Sequence, residues 1–325
     1  MTPKPIIFDC DPGDDDALAL IMAFASSKEL TILGITTSSG NAPVNLTFDN
    51  ARKICALAGR PEIKVFKGCE RPLLKEPFYI DFIHGESGLD GYHLEEPSTP
   101  IETKHAVDFI IETLLTSPQP VTVAVTGSMT NIATAIIKEP SIKNKIERLV
   151  MMGGARTESG NITPCAEFNI FVDPDAAYRV LNTLDSIVMI SLDITHQVTL
   201  DEAFLQAVKE LGTELGDALY HILRYSHEAD KRTYDLPGRA IHDACVTAYV
   251  LNPDLFSGKK CYVTVETMNE QTMGQTIVHW HPMHNQDKKP NCLFLNKVDA
   301  QGVLSLVFEK VKAQSHFLRE LEKAV

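Results

Sequence analysis

Two kinds of hydrophobic pattern alternate along most of the chain. Short apolar runs, many of them β-branched, are followed by longer segments whose apolar residues recur at helical spacing. The apolar runs predict strands at residues 5–9, 30–36, 63–66, 121–125, 149–152 and 187–192. The periodic segments predict helices at residues 15–25, 44–58, 106–115, 131–137, 174–184 and 243–251. Because alternating strands and helices form βαβ units, the pattern predicts a mostly parallel sheet flanked by helices.

The C-terminal part of the chain has a different pattern. Residues 261–267, 274–280 and 292–295 predict a small antiparallel addition, and residues 299–321 predict a closing helix. Residues 70–100 are rich in proline, glycine and charge, which predicts a long loop of the kind that is usually functional. No stretch has the composition of a linker, so residues 1–325 are expected to form a single domain. The predicted fold class is α/β: a Rossmann-like, mostly parallel open sheet with an antiparallel C-terminal addition.

Composition narrows the class of protein. The chain has 325 residues, of which 44% are hydrophobic and 22% charged, as in ordinary soluble globular proteins. A net charge of −13 argues against a nucleic-acid partner, which would favour a basic surface. The chain contains neither an apolar run of the roughly 20 residues that span a bilayer nor a signal peptide, so no membrane association is expected. Seven scattered cysteines without a CxxC motif are typical of reduced thiols in the cytoplasm.

A run of acidic residues follows the first predicted strand. Its five aspartates lie within eight positions: Asp9, Asp11, Asp14, Asp15 and Asp16. Carboxylates this close would repel one another in a partly desolvated site, and a divalent cation would remove that repulsion. Because carboxylate oxygens are hard ligands, Ca²⁺ or Mg²⁺ is expected rather than Zn²⁺. A helix-capping cluster is the alternative interpretation, but a cap needs only one or two acids.

Four further polar stretches contain candidate site residues. They are Asn41 after the second strand, His84 in the long loop, the group Asn161, Glu167 and Asn169, and the pair His242 and Asp243. Amides beside a carboxylate suit the recognition of several hydroxyl groups, since each hydroxyl both donates and accepts. Taken singly, each stretch also fits an ordinary turn, an exposed loop or a helix cap.

Together these stretches resemble the nucleoside hydrolase family, whose members are inosine–uridine preferring or pyrimidine-specific ribonucleoside hydrolases. The matching motifs stand in the family's order at residues 9–17, 127–133, 152–154, 163–169, 193–196 and 242–243. The acidic run and the Glu167-Phe168-Asn169 motif are the most specific of them. The chain departs from the pattern at Asp14, where the family usually has a neutral residue or histidine.

The resemblance implies an activity, a cofactor and roles for individual residues. It implies Ca²⁺-dependent hydrolysis of the N-glycosidic bond of ribonucleosides to ribose and free base, with metal-bound water activated by Asp11. The implied ligands of Ca²⁺ are Asp11, Asp16, Asp243 and the main-chain carbonyl of Thr126. The implied ribose-binding residues are Asp15, Asn41, Asn161, Glu167 and Asn169, with Met152 lining the pocket.

On the side of the leaving base, the resemblance implies His84 and His242, with Tyr234 as a further candidate. The presence of both histidines favours a pyrimidine-preferring enzyme (uridine, cytidine) or a broad one. The resemblance also implies a homotetramer or dimer and a role in nucleoside salvage.

Two other functions remain as alternatives. One is a metal-dependent phosphohydrolase of the haloacid dehalogenase-like type, which also has an Asp-x-Asp sequence at a strand end. Those enzymes usually have threonine or valine where this chain has Gly13. The other is a nucleoside-binding module without catalysis, against which the presence of Asp11 argues, because binding alone needs no general base.

Overall fold

The computed structural model describes residues 2–97, 101–233, 236–285 and 287–324. The strands are β1 (Lys4–Cys10), β2 (Leu30–Thr37), β3 (Val65–Lys67), β4 (Val121–Val125), β5 (Ile146–Met152), β6 (Ile187–Ile190), β7 (Thr199–Leu200), β8 (Arg239–Ala240), β9 (Phe256–Val265), β10 (Thr276–His279) and β11 (Cys292–Val298).

The α-helices are α1 (Asp14–Phe24), α2 (Val44–Leu57), α3 (Asp81–His84), α4 (Ala106–Thr116), α5 (Thr130–Lys138), α6 (Phe168–Val172), α7 (Pro174–Leu181), α8 (Leu192–Thr195), α9 (Glu202–Lys209), α10 (Glu214–Thr233), α11 (Ala244–Leu251) and α12 (Ala300–Ala324). Short 3₁₀ helices lie at Pro140–Lys145, Pro253–Leu255 and Pro282–Asn285.

Within the described residues, nine strands form one sheet in the order β10-β9-β11-β6-β5-β4-β1-β2-β3. In this spatial order, all neighbouring strands between β11 and β3 pair in parallel. At the other edge of the sheet, β9 pairs antiparallel with both β11 and β10. The predicted fold class is therefore confirmed. One detail differs from the prediction, because β11 extends the parallel part of the sheet by pairing with β6 as well as with β9.

The core occupies both faces of the sheet. Alternate residues of β1 point to opposite faces, so Ile6 and Phe8 join one buried cluster and Ile7 joins the other. A strand buried on both faces needs a continuous apolar run, as β1 has. Helix α1 is buried along its whole length, and it packs against α11 and α12. Among the described residues, no helix has the length and apolar character needed to cross a membrane.

The short helices α3, α6 and α8 were not predicted, and neither were the longer helices α9 and α10. The sequence of α9 and α10 nevertheless contains signals of helix. Asp201 caps α9 by accepting the N–H of Phe204 at 2.8 Å, and Leu215, Leu219 and Leu223 recur at helical spacing and are fully buried in α10. The polar residues between those leucines obscure the periodicity.

The order of the strands positions the site. After β1 the chain adds β2 and β3 on one side, and it then crosses to add β4 on the other side of β1. The helices that follow β1 and β4 diverge at such a reversal and leave a crevice at the carboxyl ends of the strands, where ligands of open α/β sheets bind. Asp11 follows β1 and Thr126 follows β4, so both residues lie at this crevice.

Candidate active site

Asp11 lies in the crevice between two glycines. A Cβ atom on Gly40 would stand 1.8 Å from its Oδ2, and one on Gly127 would stand 2.5 Å from its Oδ1. Oδ2 accepts the N–H of Asn41 at 2.7 Å, whereas Oδ1 is buried and has no hydrogen-bond partner among the described residues. Burial and the neighbouring charge of Asp16 raise the pKa of Asp11 well above its usual value. A cation beside this carboxylate would offset both causes of the shift by stabilising the charged form.

Three more carboxylates converge beside Asp11. Oxygens of Asp15, Asp16 and Asp243 lie within 4.8 Å of one another, and all three residues are buried. Burial and the charge of Asp15 raise the pKa of Asp16 to about 7, and burial together with Asp15 raises the pKa of Asp243 well above its usual range. The hydroxyl of Thr126 donates to Asp16 at 2.6 Å. Hard oxygen donors that cannot all be charged without a counter-ion fit a divalent cation.

Asn41 forms hydrogen bonds with both Asp11 and Asp16. Its side-chain amide donates to the main-chain oxygen of Asp11 at 3.0 Å and to Oδ2 of Asp16 at 3.4 Å. Its own main-chain N–H binds the carboxylate of Asp11. The first turn of α1 and the β2–α2 connection are thereby held together.

On the opposite side of the crevice, the turn after β5 and helix α6 contribute the predicted sugar-binding residues. Glu167 caps α6 and accepts the N–H groups of Asn169, Gly154 and Ile170 at 3.0, 2.9 and 3.2 Å. Burial raises the pKa of Glu167 to about 7 despite these three donors. The amide of Asn169 donates to the carbonyl of Thr126 at 2.8 Å, so this side of the crevice is tied to the end of β4.

Asp14 belongs to a separate buried network on the other side of the acidic cluster. Arg239 donates from Nε to Oδ2 at 2.9 Å and from Nη2 to Oδ1 at 2.7 Å, and Ser226 donates to Oδ2 at 2.6 Å. Nδ1 of His84 lies 2.7 Å from Oδ1. Burial alone would raise the pKa of Asp14, but Arg239 and His84 outweigh it and hold that pKa well below its usual range.

Asp14, Asp15 and His84 also lie within 4.8 Å of one another, yet the guanidinium of Arg239 is 3.7 Å from Asp15 and bound to Asp14. A resident positive charge makes this second group unsuitable for a cation. Arg239 was not predicted as a site residue. The signal that could have identified it is the combination of an extra acid, Asp14, and a basic residue shortly before His242.

The two predicted histidines have opposite charge preferences. Burial works against a charged His84, but the carboxylate of Asp14, 2.7 Å from its Nδ1, raises its pKa above the usual value. Burial and the positive charge of Arg239 lower the pKa of His242 well below its usual value. Nδ1 of His242 lies 2.8 Å from the hydroxyl of Thr195, which holds the ring. The surroundings of His84 therefore favour its charged form, and those of His242 favour its neutral form.

One pocket brings most of the predicted residues together. Its lining includes Asp15, Asn41, His84, Thr126, Met152, Asn161, Glu167, Asn169, His242 and Asp243. Asp11 and Asp16 are fully buried next to it, and Arg239 is an unpredicted member of the lining. Tyr234 lies outside the described residues.

The chain is similar to proteins of known family. The sequence profile described as inosine-uridine preferring nucleoside hydrolase matches residues 6–305. The pyrimidine-specific ribonucleoside hydrolase RihA of Salmonella paratyphi B is 39% identical over 309 residues, which is 95% of this chain and 98% of that protein. An uncharacterised protein of Schizosaccharomyces pombe is 40% identical over 307 residues, covering 94% of this chain and 98% of its own length.

Solved structures share the fold. The purine-preferring ribonucleoside hydrolase from Gardnerella vaginalis superposes with a TM-score of 0.91 at 31% identity, covering 97% of this chain and 100% of that one.

Proposed function

Since the chain belongs to the inosine–uridine preferring nucleoside hydrolase family and is therefore an N-glycosidase, we propose that it hydrolyses ribonucleosides to ribose and free base. The observation that supports this most directly is the site itself. Three buried carboxylates, those of Asp15, Asp16 and Asp243, lie within 4.8 Å of one another with Asp11 buried nearby, and they adjoin a pocket lined by amides, Glu167 and two histidines. Such a pocket offers donors and acceptors to a sugar on one side and to a base on the other.

The proposed cation is Ca²⁺, held by Asp11, Asp16, Asp243 and the main-chain carbonyl of Thr126. Geometry supports Asp16 and Asp243, whose oxygens lie within 4.8 Å of each other and of Asp15. The raised pKa of Asp11 supports a cation beside it, because a bound cation would stabilise its charged form. When bound, the cation would neutralise the acidic cluster and lower the pKa of an adjacent water molecule.

Asp11 is the proposed general base. Its Oδ1 accepts no hydrogen bond from any residue that the structure describes, so it is available to take a proton from the water that attacks C1′ of the ribose. The other oxygen is held by Asn41, which orients the carboxylate.

Asp15, Asn41, Asn161, Glu167 and Asn169 are proposed to bind the ribose, with Met152 lining the pocket beneath it. As the glycosidic bond breaks, positive charge develops on the ribose ring, and the acidic pocket stabilises that charge.

His84 and His242 are proposed to face the leaving base. The histidine that favours the charged form, His84, would supply positive charge or a proton to the base, and neutral His242 would form a hydrogen bond with it. Tyr234 stays a candidate for this side of the pocket.

A preference for uridine and cytidine is proposed as well. The pyrimidine-specific relative shares more of this sequence than the purine-preferring one, at 39% against 31% identity. The two alternative functions, a haloacid dehalogenase-like phosphohydrolase and a binding module without catalysis, are not favoured, because the chain belongs to a family of N-glycosidases.

Residues 1–325 are proposed to act as a single domain, because one sheet contains strands from Lys4 to Val298 and helix α12 packs back onto α1. A homotetramer or dimer is proposed, and the exposed apolar side chains of Met268 and Met283 would be covered by a second copy.

The seven cysteines, all within the described ranges, are free, which supports a reducing compartment such as the cytoplasm.

The test is a panel of ribonucleosides incubated with and without a chelator, with the released base measured. We expect uridine and cytidine to be cleaved faster than inosine, the chelator to abolish release, and added Ca²⁺ to restore it. Absence of base release from every ribonucleoside would overturn the proposed reaction. Release that the chelator leaves unchanged would overturn the metal dependence alone.

A further inference from the structure

The carboxylate of Asp14 is the meeting point of four elements. It lies in the first turn of α1 and contacts His84 of α3, Ser226 of α10 and Arg239 of β8. Asp14 is only 2% exposed, and Arg239 is also 2% exposed. The partners come from positions up to 225 residues away in the sequence.

The network fixes the orientation of this carboxylate. Arg239 binds both of its oxygens in a bidentate arrangement, and Ser226 adds a second donor to Oδ2. A carboxylate held at both oxygens cannot rotate about its Cβ–Cγ bond. Desolvating such an ion pair offsets much of its attraction, so stability alone gives a weak reason for its presence.

The fixed carboxylate in turn defines how His84 is presented. Nδ1 of His84 stands 2.7 Å from Oδ1 of Asp14, which leaves Nε2 as the ring nitrogen that a ligand can meet. The imidazole of His84 can lie this close to Asp14 because residue 13 is a glycine. A Cβ atom on Gly13 would lie only 2.8 Å from Nδ1 of His84. His84 also lines the pocket, in a helix of only four residues. Such a short helix provides little orientation of its own.

We propose that Asp14, held by Arg239 and Ser226, is a positioning residue that orients the imidazole of His84 toward the leaving base. This role rests on the proposed function, in which His84 faces that base. It also gives a physical reason for an aspartate at the position of the acidic run whose carboxylate binds Arg239 in a bidentate arrangement.

The test compares two substrates that differ in their need for help at the leaving group. Uridine has a poor leaving group, whereas a nitrophenyl riboside has an activated one. We expect Asp14→Asn to lower kcat on uridine by at least about tenfold, less than the roughly 10²–10⁴-fold contribution of the acid itself, with KM nearly unchanged. On the nitrophenyl riboside the loss should stay below about threefold, because that leaving group needs no proton.

The variant His84→Ala should give the same substrate dependence. The double variant Asp14→Asn/His84→Ala should be no slower on uridine than His84→Ala alone, since a positioning residue has no effect once its target is removed. Asp173→Asn serves as the matched control. It neutralises another buried carboxylate, which binds Thr130 and lies outside the pocket lining, and it should leave the ratio of the two rates unchanged.

Equal losses on both substrates for Asp14→Asn, or losses that add to those of His84→Ala, would overturn the positioning role. A wild type that cleaves neither substrate would overturn the proposed function, and this role of Asp14 with it. If Asp14→Asn does not fold, as judged by circular dichroism, Arg239→Lys decides the matter, because it keeps the positive charge but loses the bidentate arrangement that holds both oxygens of the same carboxylate. A decrease confined to uridine then supports the role, and unchanged or equally reduced rates on both substrates overturn it.

Discussion

At the scale of single residues, Asp11 combines an oriented oxygen with one that is placed to accept a proton. Asp11→Asn keeps the shape and the acceptor for the N–H of Asn41 but removes the basic oxygen. We expect kcat on uridine to fall about 10²–10⁴-fold, the usual contribution of a general base. Ribose affinity, measured by competitive inhibition at saturating Ca²⁺, should change little. Hydrolysis of uridine at the wild-type rate would show that Asp11 is not the base.

His242 differs from His84 in charge, and its substitution tests the leaving-group side directly. Removing its ring in His242→Ala should impair uridine hydrolysis far more than hydrolysis of a nitrophenyl riboside, because only the natural base needs a hydrogen bond as it leaves. Steady-state rates on the two substrates provide the measurement. Equal losses would remove His242 from leaving-group chemistry and leave it a structural role beside Thr195.

At the scale of secondary-structure elements, Asp173 joins three parts of the chain. Its Oδ1 caps α7 by accepting the N–H of Ala176 at 3.0 Å, and its Oδ2 accepts from Thr130 of α5 at 2.6 Å and from the N–H of Leu73 at 2.9 Å. The residue therefore ties α7 to α5 and to the long loop that precedes α3.

Replacing Asp173 with alanine leaves three donors without their acceptor. We expect Asp173→Ala to lower the free energy of unfolding by about 2 kcal/mol, the usual cost of unsatisfied buried polar groups. Urea unfolding gives this value. The ratio of kcat/KM for uridine to that for a nitrophenyl riboside should match the wild type, and a changed ratio would mean that α7 influences the pocket.

At the scale of the whole molecule, the acidic cluster links stability to pH and to the cation. The pKa values of Asp9, Asp16 and Glu167 are raised from 3.8 or 4.5 to about 7 when no cation is bound. The folded state therefore binds protons more tightly than the unfolded state between about pH 4 and pH 7. Across this window these groups reduce the stability of the metal-free protein as the pH rises.

Calcium should reverse this trend, because it binds the charged carboxylates. At a free concentration of 100 times Kd, we expect about 2.7 kcal/mol of stabilisation at pH 8. For a chain of this length that corresponds to about 4 °C in Tm. At pH 5 the gain should nearly vanish, since protonated carboxyl groups bind no cation. Thermal scans with Ca²⁺, and with a salt of a monovalent cation at equal ionic strength as the control, measure it. A gain independent of pH would place the cation elsewhere.

Much of this protein follows from its sequence alone, because the determining interactions are local. The apolar runs predicted β1 to β6, and their alternation with helices predicted the parallel sheet, since both features reflect periodicities of a few residues. The acids that follow β1 were predicted to lie at a strand end because they come directly after an apolar run. Their close spacing in the sequence is enough to indicate a cation site. The leucines of α10 contained the same kind of signal, but it was obscured by polar neighbours.

The tertiary structure decided how these local pieces are combined. Local patterns do not specify which distant residues become neighbours once water is excluded. Packing of β8 and α10 against the first turn of α1 gives Asp14 a bidentate counter-charge in Arg239. That contact lowers the pKa of Asp14, while burial raises the pKa of Asp16 two positions later. Local patterns in the chain were sufficient to predict that acids gather at this edge of the sheet. Only burial and long-range contacts determined which of them are free to hold a cation.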